Sequence, residues 1–238
     1  MHPVVSCTSF TGADRTNVYY DRDEKMKLSA FLAGAAAIAM TSTALAQDAQ
    51  NVDVESFSRI NAGGGYRLVV TQGDSHTLRL EGDSSDFSKV EIDVRRDGLY
   101  LEQETRLFGR NRGLDVTVHV TVPSLDELDF SRGVRADVES FEFSSLEIDI
   151  STGAFASVAG SCGELDVSGS TGAAFDGRDL ECQIVDVSTS TGASARVHAA
   201  QSVDASASLG GDVVVYGSPR SHDSSETMGG NVRFDRNG

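Results

Sequence analysis

Leu128-Asp129-Phe130-Ser131, Ile148-Asp149-Ile150-Ser151, Leu165-Asp166-Val167-Ser168, Val185-Asp186-Val187-Ser188 and Val203-Asp204-Ala205-Ser206 are five versions of one tetrapeptide, with a degraded sixth at His222-Asp223-Ser224-Ser225. Apolar residues alternate with Asp and Ser, the period-two pattern of a strand with one buried face. The aspartates recur after 20, 17, 20, 18 and 19 residues. A glycine follows each copy, at Gly133, Gly153, Gly172, Gly192, Gly210 and Gly229, with steps of 20, 19, 20, 18 and 19. Past each glycine a second alternating run begins, such as Ala154, Ala156, Val158 or Ala193, Ala195, Val197. One such unit cannot bury its apolar row alone, but units stacked about 4.8 Å apart close a continuous column. Small inward residues such as Ala136, Ala156, Ala173 and Ala195 suit a narrow cross-section. The spacing predicts an all-β fold, a parallel β-helix-like solenoid with rungs of 17–20 residues.

Working toward the N-terminus, residues 66–70, 77–80, 90–94, 99–101 and 114–122 alternate in the same way and read as strands. Gly73-Asp74, Gly82-Asp83 and Asp97-Gly98 mark the turns, and Pro123 closes this half. These strands and hairpins are expected to pack onto the solenoid or open it. Residues 103–113, with Arg106, Arg110 and Arg112, read as a polar loop. No segment after Asn51 carries a convincing helical apolar period.

The first 46 residues read as an address. Met26-Lys27, the uncharged run Leu28 to Met40 and the A-x-A end Ala44-Leu45-Ala46 are the parts of a secretory signal peptide, with cleavage expected between Ala46 and Gln47. An uncleaved membrane anchor is the alternative, but the apolar block is short for a span of about 20 residues. Residues 1–25 put Asp21-Arg22-Asp23-Glu24 where a signal needs positive charge, so they are expected to be an upstream extension. Residues 47–54 are expected as a short linker and 55–238 as a single solenoid domain, with no transmembrane segment in the mature chain.

The chain has 36 acidic and 20 basic residues among 238, a net charge of -16. The leader holds four of each, so the entire charge falls on the exported part. No Lys/Arg run offsets it, which argues against nucleic acid. Cys7 lies in the leader, leaving Cys162 and Cys182, each four residues before a repeat aspartate and so at equivalent places on adjacent rungs. In an oxidising compartment that placement permits a disulfide; two free stacked thiols remain the other reading.

Chemistry is sparse. In each repeat the aliphatic residues face inward, so Asp129, Asp149, Asp166, Asp186 and Asp204 are expected as one outward ladder, with Ser131, Ser151, Ser168, Ser188 and Ser206 as a second beside it. Stacked like charges raise carboxylate pKa values or attract a cation, so the face is a candidate for Ca2+ or a polyol; the plainer reading is a solvated ladder that blunts strand edges. No resident cofactor or metal set is expected. The Ser-Thr-Gly-Ala copies from Ser151, Ser170 and Ser190 repeat, whereas a catalytic serine is singular and has its own base. His76, His119, His198 and His222 are scattered, without zinc-site spacing. Gly63-Gly64-Gly65 precedes a strand, where a phosphate loop opens a helix.

The Phe57 to Val70 block with its triple glycine, Val69-Val70-Thr71-Gln72-Gly73-Asp74, Gly98-Leu99-Tyr100-Leu101, Val120-Thr121-Val122-Pro123-Ser124-Leu125 and the later Gly/Ser/Asp repeats resemble the head GIN domain of auto-transporter adhesins. The resemblance spans residues 55–236 and rests on strand and turn positions. It implies an exported envelope or surface β-solenoid, adhesin-like, with no established catalytic residue. The expected function is therefore a non-enzymatic binding or scaffold module of the periplasm, outer surface or medium, engaging an envelope or surface polymer, a glycan or a protein. The alternative is a polysaccharide-active β-helix enzyme, lyase or hydrolase, using the Asp ladder with Arg178 or Arg196.

Overall fold

A computed structural model of the chain describes residues 48–104 and 113–235. The expected signal peptide, its expected Ala46/Gln47 cleavage site, the expected upstream extension and Arg106, Arg110 and Arg112 lie outside the described residues.

In chain order the strands are β1 (Asp48–Val52), β2 (Arg59–Gly63), β3 (Arg67–Gln72), β4 (Thr77–Gly82), β5 (Val90–Arg95), β6 (Gly98–Gln103), β7 (Val116–Val122), β8 (Glu127–Ser131), β9 (Arg135–Ile150), β10 (Phe155–Gly169), β11 (Ala174–Thr189), β12 (Ser194–Ala207), β13 (Asp212–Tyr216), β14 (Ser221–Glu226) and β15 (Asn231–Asp235). A single helical turn, α1 (Ser84–Phe87), follows β4, its first turn closed by the Asp83 carboxylate accepting from Ser85 N–H. All fifteen strands belong to one sheet, wound into a β-solenoid.

Each rung runs through one strand segment, bends, and continues through a second before a tight corner. The corners explain the glycine period. Thr152, Thr171 and Thr191 have φ near +50°, and Gly153, Gly172 and Gly192 after them have φ near +70°. Two consecutive left-handed residues make the sharp reversal, and glycine adopts the second at no steric cost.

The N-terminal half supplies the opening rungs in a different spatial order. β2 lies between β6 and β8, and β3 between β7 and β9, all parallel, so the first rung in sequence is the second in the stack. The excursion from β4 to β5 makes this insertion. β4 pairs antiparallel with β7, and β5 with β6. Residues 48–52, part of the expected linker, instead form β1, which pairs antiparallel with β4 and covers backbone that would otherwise be an open edge.

Inward residues form continuous columns. Ala136, Ala156, Phe175, Ala195 and Val213 are successive partners, all at most 1% exposed. Phe175 fits because its neighbours above and below are alanines and its ring lies over Gly177. Such large-beside-small packing fills a narrow interior to native density.

Candidate functional site

Strand register decides what the repeat aspartates do. Asp129 pairs with Asp149, but Asp149 pairs with Ser168, which continues to Ser188, Ser206 and Ser225. The other three aspartates belong to a neighbouring column, Glu127, Glu147, Asp166, Asp186, Asp204 and Asp223. The expected single Asp ladder is therefore split between two columns, and the Ser ladder is split with it. Ser131 and Ser151 precede the corners, where Ser151 N–H donates to the Phe130 carbonyl at 2.9 Å and Ser170 N–H to Ile150 at 2.9 Å. The physical reason lies in the apolar residues. Leu146 and Ile148 seat against Leu165 and Val167, and a two-residue slip to keep aspartate on aspartate would move the wide Ile150 against Val167 and leave Leu146 without its core partner.

The two columns run side by side on the outer face of one sheet. Arg59 heads the first, 3.6 Å from Glu127, and Asn61 heads the second, its Nδ2 donating to Asp129 Oδ2 at 2.6 Å. Burial, then the facing Asp149, then Glu127 push the Asp129 carboxyl above its ordinary value, against the stabilising Asn61 bond. Asp186 is also raised, first by burial and then by Asp166 and Asp204 on the adjoining rungs. Ser168 and Ser188 hydroxyls lie 3.4 Å apart.

Two shallow grooves mark this face. One, of about 410 Å³, is lined by Glu127, Glu147, Glu164, Asp166 and Asp186 around the exposed Ile184. The other, of about 390 Å³, is lined by Asp149 and the hydroxyls of Ser151, Ser168, Ser170, Ser188 and Ser206. The acidic groove is suited to ammonium or guanidinium groups, the second to hydroxyl-bearing ligands.

Cys162 and Cys182 stand opposite one another on β10 and β11, Cα atoms 4.5 Å apart, joined in a disulfide. It staples two rungs just before the bend that leads to the columns. Arg178 makes two bonds to Asp176, at 2.8 and 2.7 Å, and Asp176 pairs in register with Arg196. Arg196 thus sits on the paired segment before the register break at Gly177/Glu181 and Arg178 within that break, both separate from the carboxylate columns. His76 contacts the Phe57 carbonyl, His119 Glu81, His198 the Arg178 carbonyl and His222 the Phe234 ring. Among the described residues no group of three or more His, Cys, Asp or Glu converges to hold a metal ion. Nor is any described helix long and apolar enough to cross a membrane.

With the β-solenoid and its columns in place, comparison with known proteins places the chain. The family model described as "Putative auto-transporter adhesin, head GIN domain" matches residues 56–219. The chain belongs to this head GIN domain family. No curated protein matches the chain. A "putative adhesin" structure from Bacteroides fragilis is similar at a TM-score of 0.65 and 15% identity, covering 80% of this chain and 98% of its own. Another from Parabacteroides distasonis is similar at a TM-score of 0.51 and 14% identity, covering 80% and 97%. At that identity the likeness is one of fold.

Within this GIN domain, sequence reasoning missed Glu127 and Glu147 as column members, and Asn61 as the donor to Asp129. The glycine steps held the information. Register steps along the second column are 20, 19, 20, 18 and 19, identical to those of the corner glycines and different from the aspartate steps at one place.

Proposed function

We propose that this GIN domain is an exported, non-enzymatic binding or scaffold module of the cell envelope or surface, engaging a polymer through the outer face built by β8 to β12 and β14. The observation that carries the reading is the unbroken column Glu127, Glu147, Asp166, Asp186, Asp204, Asp223 beside its hydroxyl-bearing neighbour, with two open grooves along it. Repetition at strand spacing suits a ligand that itself repeats, a glycan or an extended peptide, because identical groups on successive rungs can be engaged many times. A glycosidase needs two carboxyls of unlike environment flanking one bond. Here acidic side chains recur on six successive rungs along shallow grooves instead of standing as one isolated pair, which supports binding over turnover. The signal-like leader supports export, and the family supports adhesion.

The test is a glycan and cationic-peptide array followed by a reducing-sugar assay on any hit. Binding without turnover is expected, weakened about tenfold or more by Asp166→Ser, Asp186→Ser and Asp204→Ser together. Turnover of a bound glycan, or binding indifferent to the triple substitution, would refute the reading.

A further inference from the structure

The last rung departs from those before it. Where β12 places Val203, Ala205 and Ala207 in the core columns, β14 places His222, Ser224 and Glu226. β15 keeps the apolar pattern, with Val232 and Phe234 opposite Val213 and Val215, yet Phe234 is 37% exposed and Met228, at the corner before it, 79%. Both strands are edges: among the described residues no strand pairs with their far sides.

Which backbone groups face out follows from the ladder. Thr227 N–H donates to the Ala207 carbonyl and Asn231 N–H to the Gly211 carbonyl, both at 3.0 Å. Backbone groups alternate sides along a strand, so odd-numbered residues of β14 and β15 address the previous rung. The N–H groups of His222, Ser224, Glu226, Val232 and Phe234 therefore point away from the solenoid. Two of them are held by side chains: Ser224 N–H donates to Asp223 Oδ1 at 2.8 Å, and Val232 N–H to Glu226 Oε1 at 2.6 Å. A carboxylate on an outward N–H occupies the donor an added strand would need and sets a negative charge where that strand's carbonyls would arrive.

We propose that Asp223 and Glu226 are edge caps, which keep the rung formed by β14 and β15 from pairing with a second copy of this chain. The occupant is a second copy because an edge pairs most readily with an edge of matching length and pattern, and the alternation admits a register free of like-charge contacts. Residues directly opposite in an antiparallel pair share a face. Centring the two-fold on Ser224 sets His222 against Glu226 of the second copy and Asp223 against its Ser225, using the outward groups of residues 222, 224 and 226. Centring it on Asp223 would oppose two carboxylates. In the capped state Ser224 N–H is occupied and Glu226 is drawn aside to Val232, so the favourable register is blocked.

Sedimentation velocity on the purified protein and on the variant Asp223→Ala/Glu226→Ala tests this. The unmodified protein is expected as a single copy and the variant as a two-copy species, its self-association tightened about tenfold or more. Adding Ser224→Pro should return the variant to a single copy with an unchanged melting temperature, because the lost N–H faces away from β12. A variant that stays a single copy at its highest soluble concentration overturns the proposal. So does an unmodified protein that pairs as strongly as the variant, or pairing that survives Ser224→Pro and thus uses another edge such as β1.

Discussion

Replacing Cys162 with alanine is expected to destabilise the protein almost as much as replacing Cys162 and Cys182 together. The disulfide closes a loop of 20 residues. Chain-entropy reasoning makes such a cross-link worth about 3 kcal/mol at 25 °C, acting on the unfolded chain. Either substitution removes all of that. Because the two residues are only 5% and 0% exposed, each also leaves a small cavity, costing about 1 kcal/mol. A single variant thus loses about 4 kcal/mol and the double about 5 kcal/mol, where independent sites would sum to about 8 kcal/mol. At roughly 2–4 °C per kcal/mol for a chain of this size, the first substitution lowers Tm by about 8–16 °C and the second by only a few degrees more. Thermal melts of the four proteins by circular dichroism, prepared without reductant, measure this. Two small single effects that add in the double variant would show independent thiols and refute the cross-link argument, and with it the expectation that the chain matures in an oxidising compartment.

Asp186 carries its raised pKa because it is stacked between Asp166 and Asp204 and partly desolvated. A carboxyl whose folded pKa exceeds its unfolded one holds its proton more readily when folded, so its contribution is most favourable below the ordinary carboxylate range and is lost as pH rises through the folded value. Asp186→Asn should therefore raise stability by about 0.5 kcal/mol at pH 7 and by nothing at pH 3; a gain of equal size at both would remove the electrostatic cause. Thr189 is 3% exposed, lies between Gly169 and Ala207, and its Oγ1 has no hydrogen-bond partner. Thr189→Val is expected to stabilise by about 1 kcal/mol in urea unfolding, and a loss of stability would mean the hydroxyl is satisfied. Two glycines with positive φ separate conformational from steric cost. Gly172→Ala meets no atom within 4 Å and should cost about 1 kcal/mol, whereas a Cβ at Gly160 would lie 1.9 Å from the Phe141 carbonyl oxygen and should cost several times more. Equal costs at the two positions would contradict that distinction.

The solenoid was legible in the sequence because stacking makes every rung answer to the same constraints, and alternation, corner glycines and small inward residues repeat together. Expected strands such as residues 77–80 and 90–94 match β4 and β5 within two residues. Less legible were β1, whose residues Asp48 to Asn51 are exposed with only Val52 half-buried against the core, and the order of the opening rungs, which depends on where the β4 to β5 excursion returns. The strand β14 reads as a degraded repeat with all six residues exposed, yet keeps its place through backbone pairing with β12 and the contacts of His222 and Glu226 with β15.

The site was misread for a physical reason that also sharpens it. Aspartates on a solvated face contribute little to register, so they can drift by two residues between rungs at small cost. Aliphatic columns and corner glycines cannot drift, because a slip exposes core or forces a β-carbon into a left-handed turn. The apolar repeats and corner glycines, not the polar repeats, therefore report the register. Once the register is taken from the latter, the acidic face gains a direction. Glu127, Asp129, Glu147 and Asp149 crowd four carboxylates onto two adjacent rungs, while from Asp166 onward one column stays acidic and the other becomes serine. A polymer bound along the axis meets a charge density that falls by half partway down the stack. The two ends of the face are thus unlike, so a directional chain has one preferred orientation on it, and reversing that polarity with Asp129→Ser/Asp149→Ser and Ser188→Asp/Ser206→Asp should weaken binding even though the net charge is unchanged.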